Sequence, residues 1–328
     1  MFFYVHMDPA VISDAWIKGD FAVQALIGVL RGFVQNSAIA DFEDYRIQSE
    51  IKNKVDELPD DFDRKIIKSI LAALQKRNRF IYCFVPDYTN ERSDLECVFE
   101  QAEKCLIDLI LLKSIPNEFD TPNRIEVVTL SNYQRSSFEH RRSLLASDGR
   151  TFIGGEHEEY EFLNLYLGKI FRYATRIEFC DKLFGSKFAD NYIHTIKIMF
   201  KWLGGLPIDQ GNCRLIFHCG MPPGYTKKHI QERISSFQSK YLTSTKIEIQ
   251  FYQSTEDEQC LPHDRFITSD QISLTVGRGM DFLDKKTHKN RDVTIGLKSI
   301  DEVSRLLESY TKDIEERVTI SGQRAVES

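Results

Sequence analysis

No apolar run in the sequence approaches the roughly 18 residues needed to span a bilayer. A membrane-crossing helix is therefore not expected. The opening MFFYVHMDPAVI is apolar but lacks a basic n-region, a long h-region and a small-residue cleavage site, so it is not expected to act as a signal peptide. A paired cysteine framework is also missing. The seven cysteines (Cys83, Cys97, Cys105, Cys180, Cys213, Cys219 and Cys260) are odd in number and scattered, the pattern of reduced thiols in a cytoplasmic protein. Positive charge is not in excess: 43 Lys and Arg stand against 49 Asp and Glu, a formal net charge of −6. That argues against a protein that coats nucleic acid by bulk electrostatics, while a local basic cleft remains compatible with it.

The chain is long enough for more than one core. Its 328 residues are about twice the usual domain size, which predicts two domains or one large α/β unit with an added lobe. With 42% hydrophobic and 28% charged residues, it is an ordinary folded composition. FFYVHM (2–7) reads as a buried strand ending at Asp8-Pro9, followed by a helical pattern over 15–33 with Trp16, Ala22, Leu26 and Leu30 on one face. Residues 46–76 read as two helices broken at LPDDFD, where Pro59 and three aspartates supply stop and cap signals. RFIYCFVP is a second strand, SDLECVFEQAEKCLIDLILLKS a helix and RIEVVTLS a third strand. This alternation predicts an N-terminal α/β lobe over 1–150.

The glycines and acids of SDGRTFIGGEHEE (147–159) mark a boundary. Beyond it, EYEFLNLYLGKIFRYAT is an amphipathic helix. Strand and helix then alternate through TRIEFCD, the helix from about Ser186 to Leu203, NCRLIFHCG, KKHIQERISSFQSK and STKIEIQFYQ. The segment LPHDRFITSDQISLTVGRGMDFLD supplies two strands in succession, RDVTIGLKS another, and IDEVSRLLESYTKDIEERV a closing helix. No internal repeat or low-complexity tract is visible.

Within that segment His263, Arg265 and Asp270 fit H-x-R-x-x-x-x-D, and Gly277 follows seven places on. Residues two apart on a strand share a face, which would set imidazole beside guanidinium. Such a pair suits a phosphodiester: the imidazole can attack phosphorus or protonate a leaving oxygen, and the cation neutralises the non-bridging oxygens. Asp270 could polarise a histidine if the fold returns it to the site.

The segment resembles the signature of the phospholipase D-like superfamily, H-x-K-x-x-x-x-D followed by a glycine-rich turn. More narrowly, HDRFITSDQISLTVGRGMDF is similar to the C-terminal domain of microtubule-interacting-and-trafficking proteins, a phospholipase D-like fold regarded as membrane-binding and non-hydrolytic. The likeness covers under half the chain. It implies an α/β phospholipase D-like lobe over 151–328, a mixed sheet flanked by helices. It also implies a site with His263, Arg265 and Asp270 as catalytic residues and the turn of Gly277, Arg278 and Gly279 holding phosphate. Arg265 stands where the superfamily has lysine, which keeps the charge and changes its geometry. One such segment is present where superfamily hydrolysis combines two, so a single-motif enzyme would be a homodimer apposing two His263 side chains. The implied activity is a metal-independent phosphodiesterase, a nuclease suited to bacterial antiviral defence, that needs no cofactor. The alternative is a non-catalytic module binding nucleic acid, acidic lipid or a protein partner, with membrane lipid the less favoured ligand.

Other residues offer competing sites. Asp8 follows a strand as the first acid of a PIN-like nuclease does, with Asp41, Glu43, Asp44 and Glu50 as further carboxylates at undiagnostic spacing; an Asp-Pro turn explains Asp8 equally. Cys213, His218 and Cys219 are poorly directed for zinc and read as buried strand residues. Asp181 ends the strand RIEFCD, where α/β sites gather, and is a candidate to line the same cleft. Lys227, Lys228 and His229, with Lys285, Lys286, His288, Lys289 and Arg291, form two basic clusters that could rim a polyanion site. The N-terminal lobe is a candidate surface for a protein partner.

Overall fold

The computed structural model describes residues 2–42, 46–83, 95–115, 125–147, 149–182, 190–206, 213–221, 227–242, 245–253, 261–310 and 314–320. The chain is mixed α/β and divides into two compact units, residues 2–147 and residues 148–328. Among the described residues no helix is long and apolar enough to cross a membrane.

The first unit carries a parallel sheet. In chain order its elements are β1 (Phe3–Met7), α1 (Ala10–Ile17), α2 (Asp20–Asn36), β2 (Ser37–Asp41), α3 (Arg46–Asp56), α4 (Asp61–Lys76), β3 (Phe80–Tyr82), α5 (Leu95–Lys104), β4 (Leu109–Leu112), β5 (Glu126–Thr129) and α6 (Ser137–Ser147). The strand order is β3-β2-β1-β4-β5, parallel throughout. Every residue of β1, β2 and β4 is buried, as in strands covered on both faces, which read as continuous apolar runs. Helix α2 buries Val23, Leu26, Ile27, Leu30 and Phe33 along one stripe, the i, i+3, i+4 spacing of an amphipathic helix. Asp60 caps α4 by accepting from the Asp63 amide at 2.8 Å, as the aspartate-rich break at LPDDFD predicts.

Two expectations fail in this unit. The run from Ser93 to Ser114 is not one helix: α5 stops at Lys104, Leu106 turns with φ 61° and β4 begins at Leu109. The helical pattern over 15–33 is likewise not one helix: α1 ends at Ile17, Gly19 turns with φ 91° and α2 begins at Asp20.

The second unit contains β6 (Arg150–Phe152), α7 (Glu159–Phe162), a π-helical turn (Leu163–Leu167), α8 (Gly168–Phe171), β7 (Arg176–Asp181), α9 (Asp190–Leu203), β8 (Arg214–Met221), α10 (Lys227–Tyr241), β9 (Lys246–Gln253), β10 (Phe266–Ser269), β11 (Ser273–Val276), β12 (Val293–Lys298), α11 (Ile300–Tyr310) and β13 (Ile314–Ile320). Its sheet order is β13-β9-β8-β7-β10-β11-β12-β6. Strands β7, β8 and β9 are mutually parallel, and the pairings outward from them are antiparallel. The closing segment predicted as one helix ends at Tyr310, and β13 pairs with β9 instead. Residues 150–152, within the expected boundary segment, form the edge strand β6.

Register assigns the sheet two unlike faces. Ile177, Phe179, Leu215, Phe217, Ile247 and Ile249 alternate onto one face, where Phe179 and Phe217 stack at 4.9 Å and meet Phe171 and Phe200. The opposite face carries a buried polar chain. His218 contacts Glu178 at 2.7 Å and the Tyr252 hydroxyl at 2.8 Å; that hydroxyl donates to Gln250, whose amide donates to Glu248. Arg176 and Arg214 pair with the two carboxylates at the ends. Burial pushes the Glu178 carboxyl up, yet His218 and Arg176 outweigh it and hold it below the usual range.

Candidate functional site

The carboxyl end of β7 and the turn after β11 meet at Asp181. This carboxylate is fully buried. It accepts from the Tyr192 hydroxyl and from the Met280 amide, each at 3.1 Å. Arg265 lies just before β10, its Nε 3.7 Å from Asp181 Oδ1 and its Nη1 donating to the Gly277 carbonyl at 3.3 Å. Gly279 has φ 89°, and a Cβ there would collide with Asp181 Oδ2 and stand 2.8 Å from Arg265 Cδ. The glycine thus permits a close approach of backbone to an ion pair, the use to which glycine is suited at positive φ.

Not all of the expected site residues gather at this pair. His263 is exposed and sits on a bend ahead of β10, so strand alternation does not set its ring beside the Arg265 guanidinium. Asp270 follows the far end of β10, where its carboxylate accepts from the Thr175 hydroxyl at 2.7 Å and from the Thr175 amide. Within one chain β10 lies between His263 and Asp270, and the aspartate secures the start of β7. The amides of Gly277 and Gly279 donate to the carbonyls of Thr294 and Val276, so neither is held open for phosphate. Arg278 lies 3.5 Å from Asp281. Asp181, by contrast, does lie beside Arg265.

In the first unit, Asp8 and Asp41 stand at the carboxyl ends of neighbouring strands, but each is engaged locally. Asp8 accepts from the Ala10 amide at 2.8 Å and Asp41 from the Gln48 amide at 3.0 Å. Glu50 pairs with Arg46 along α3, and Glu43 and Asp44 lie outside the described residues. Cys213 and Cys219 are buried free thiols, and His218 is committed to Glu178 and Tyr252.

Sequence reasoning missed a basic groove between α9 and α10. It has a volume of about 320 Å³ and is lined by Ile193, His194, Lys197, Arg233, Ser236, Phe237, Lys240, Tyr241 and Lys285. Four of these nine side chains are cations, and none is a carboxylate. Lys197, Arg233 and Lys240 have no ion pair among the described residues. Much of the remaining basic character foreseen from sequence is neutralised. Lys228 pairs with Glu232, Lys289 with Glu158, and Arg291 with Asp281 and Asp284. Only Lys285 of the groove belonged to a visible cluster; the signal for the others was their spacing on two helices, at Lys197 and at Arg233 and Lys240.

No family model, curated protein or solved structure matches this chain.

Proposed function

We propose that the second unit is a phospholipase D-like, non-catalytic module that binds the phosphodiester backbone of a single-stranded nucleic acid. The observation that carries this reading is the α9–α10 groove: a chain of net charge −6 gathers four cations, free of carboxylates, around one cavity. Lys197, Arg233 and Lys240 have no ion pair among the described residues, and like charges gathered along one groove raise the local concentration of anions. Tyr241 in the same lining offers aromatic surface to a base, while Phe237 is buried against Phe200 beneath it; charge beside an aromatic ring is the partnership typical of single-strand grooves. The volume matches a nucleotide-sized ligand.

A second reading keeps hydrolysis. The exposed His263, close in sequence to the Arg265–Asp181 pair, could act as nucleophile if a homodimer set two copies over one phosphodiester. Such an enzyme would be metal-independent, in keeping with a nuclease acting in antiviral defence. Labelled single- and double-stranded DNA and RNA, incubated in EDTA with wild type and His263→Ala, separate the two readings. The binding module retains intact nucleic acid equally in both proteins. Cleavage that survives EDTA and is lost in the variant establishes the enzyme instead.

A further inference from the structure

Three polar side chains from distant parts of the second unit converge beside the groove. Glu159 opens α7, His194 lies in α9 and His288 in the loop between Asp284 and Lys289. The Nε2 of His194 is 3.1 Å from Glu159 Oε2, and the Nδ1 of His288 is 3.6 Å from the same oxygen. All three ligand-capable atoms lie within 4.8 Å of one another. A tetrahedral zinc ion, with bonds of about 2.0–2.1 Å, has ligand-to-ligand edges of about 3.3 Å. The two edges bracket that value.

The backbone fixes these groups independently of their own contact. The Glu159 amide donates to the His288 carbonyl at 3.0 Å, Glu158 bridges Lys289, and the His288 amide donates to Asp284. His288 itself is held at φ 51°, a conformation uncommon for a side-chain-bearing residue, although histidine tolerates it better than most. The Glu159 and His194 side chains are 11% and 9% exposed, whereas His288 is 65% exposed. A metal held here would have two covered ligands, one ligand at the surface and a solvent-side position for water or an anion.

We infer that Glu159, His194 and His288 form a binding site for one divalent transition-metal ion, zinc by ligand type. Two histidines and one carboxylate form a zinc ligand set that leaves a coordination position open. His194 also lines the basic groove, so the ion would add positive charge at the groove's wall. A hydrogen-bonded Glu159–His194 pair without metal is the competing account, and it gives His288 no necessary part.

The test is titration of the full chain, stripped by a chelator and dialysed, with Co²⁺ alone, followed by visible absorption, and with Zn²⁺ by calorimetry. The expected result is one equivalent bound with the intense d–d bands of tetrahedral cobalt. His288→Ala, which alters an exposed loop, should weaken binding at least tenfold, and Glu159→Gln should do the same. His263→Ala should bind as wild type does. Absence of a saturable site, or binding unchanged in both ligand variants, overturns the inference.

Discussion

The Nε of Arg265 lies 3.7 Å from Oδ1 of Asp181, a carboxylate with no exposed surface. This pair ties the segment before β10 to the end of β7, and its loss leaves a partly buried guanidinium unpaired. Breaking a buried pair from one side costs about 3–5 kcal/mol. Asp181→Ala should therefore lower the urea-unfolding free energy of the second unit by that amount. A loss below about 1 kcal/mol would show that solvent already compensates Arg265.

Two glycine-to-alanine changes should move stability in opposite directions. At Gly279, φ is 89° and the added methyl meets Asp181 and Arg265, so strain alone predicts a cost of about 1–3 kcal/mol. Gly28 lies in the exposed interior of α2 with nothing within 4 Å of the new Cβ, and alanine there should add about 0.5–1 kcal/mol. Thermal unfolding of the two variants measures both; equal shifts would contradict the reading of Gly279 as a close-approach residue.

His6 predicts an acid sensitivity of the first unit. Burial holds its pKa at about 4 against an ordinary 6.5, opposed by Asp8 and the Ala40 backbone. Because the folded pKa is depressed for a base, the unfolded chain binds more protons between these two values. The stability contribution is present above pH 6.5 and lost as pH falls toward 4, by about 3 kcal/mol. His6→Phe keeps the stack on Phe42, whose ring lies 5.0 Å from that of His6, and should flatten this slope. Parallel pH profiles for variant and wild type would rule the histidine out as the cause.

Much of the architecture is legible in the sequence because local signals and burial agree. The strand FYVHM, the break at LPDDFD and the paired strands β10 and β11 all rest on apolar runs bounded by turn-forming residues. What escapes has no such punctuation. Leu106 enters the left-handed region without glycine, so α5 and β4 read as one helix. Strand β13 is defined by pairing with β9, a tertiary partner that periodicity does not register. The site divides in the same way. Asp181 was reachable because carboxyl ends of strands gather in α/β folds, and Arg265 because it sits in a motif. Lys197 and Arg233 become neighbours only when α9 packs beside α10, and Glu159 meets His288 across 129 positions of chain.

The central claim is that the α9–α10 groove binds a polyanion through its cations. It is tested most directly by fluorescence anisotropy of a labelled single-stranded oligonucleotide across a salt series, comparing wild type with Lys197→Gln/Lys240→Gln. Each phosphate contact removed should reduce the slope of log affinity against log salt by about 0.7. The account predicts weaker binding and a slope shallower by about 1.4 in the double variant, with His263→Ala unchanged. Wild-type affinity and slope in the double variant, with its fold intact, would contradict it.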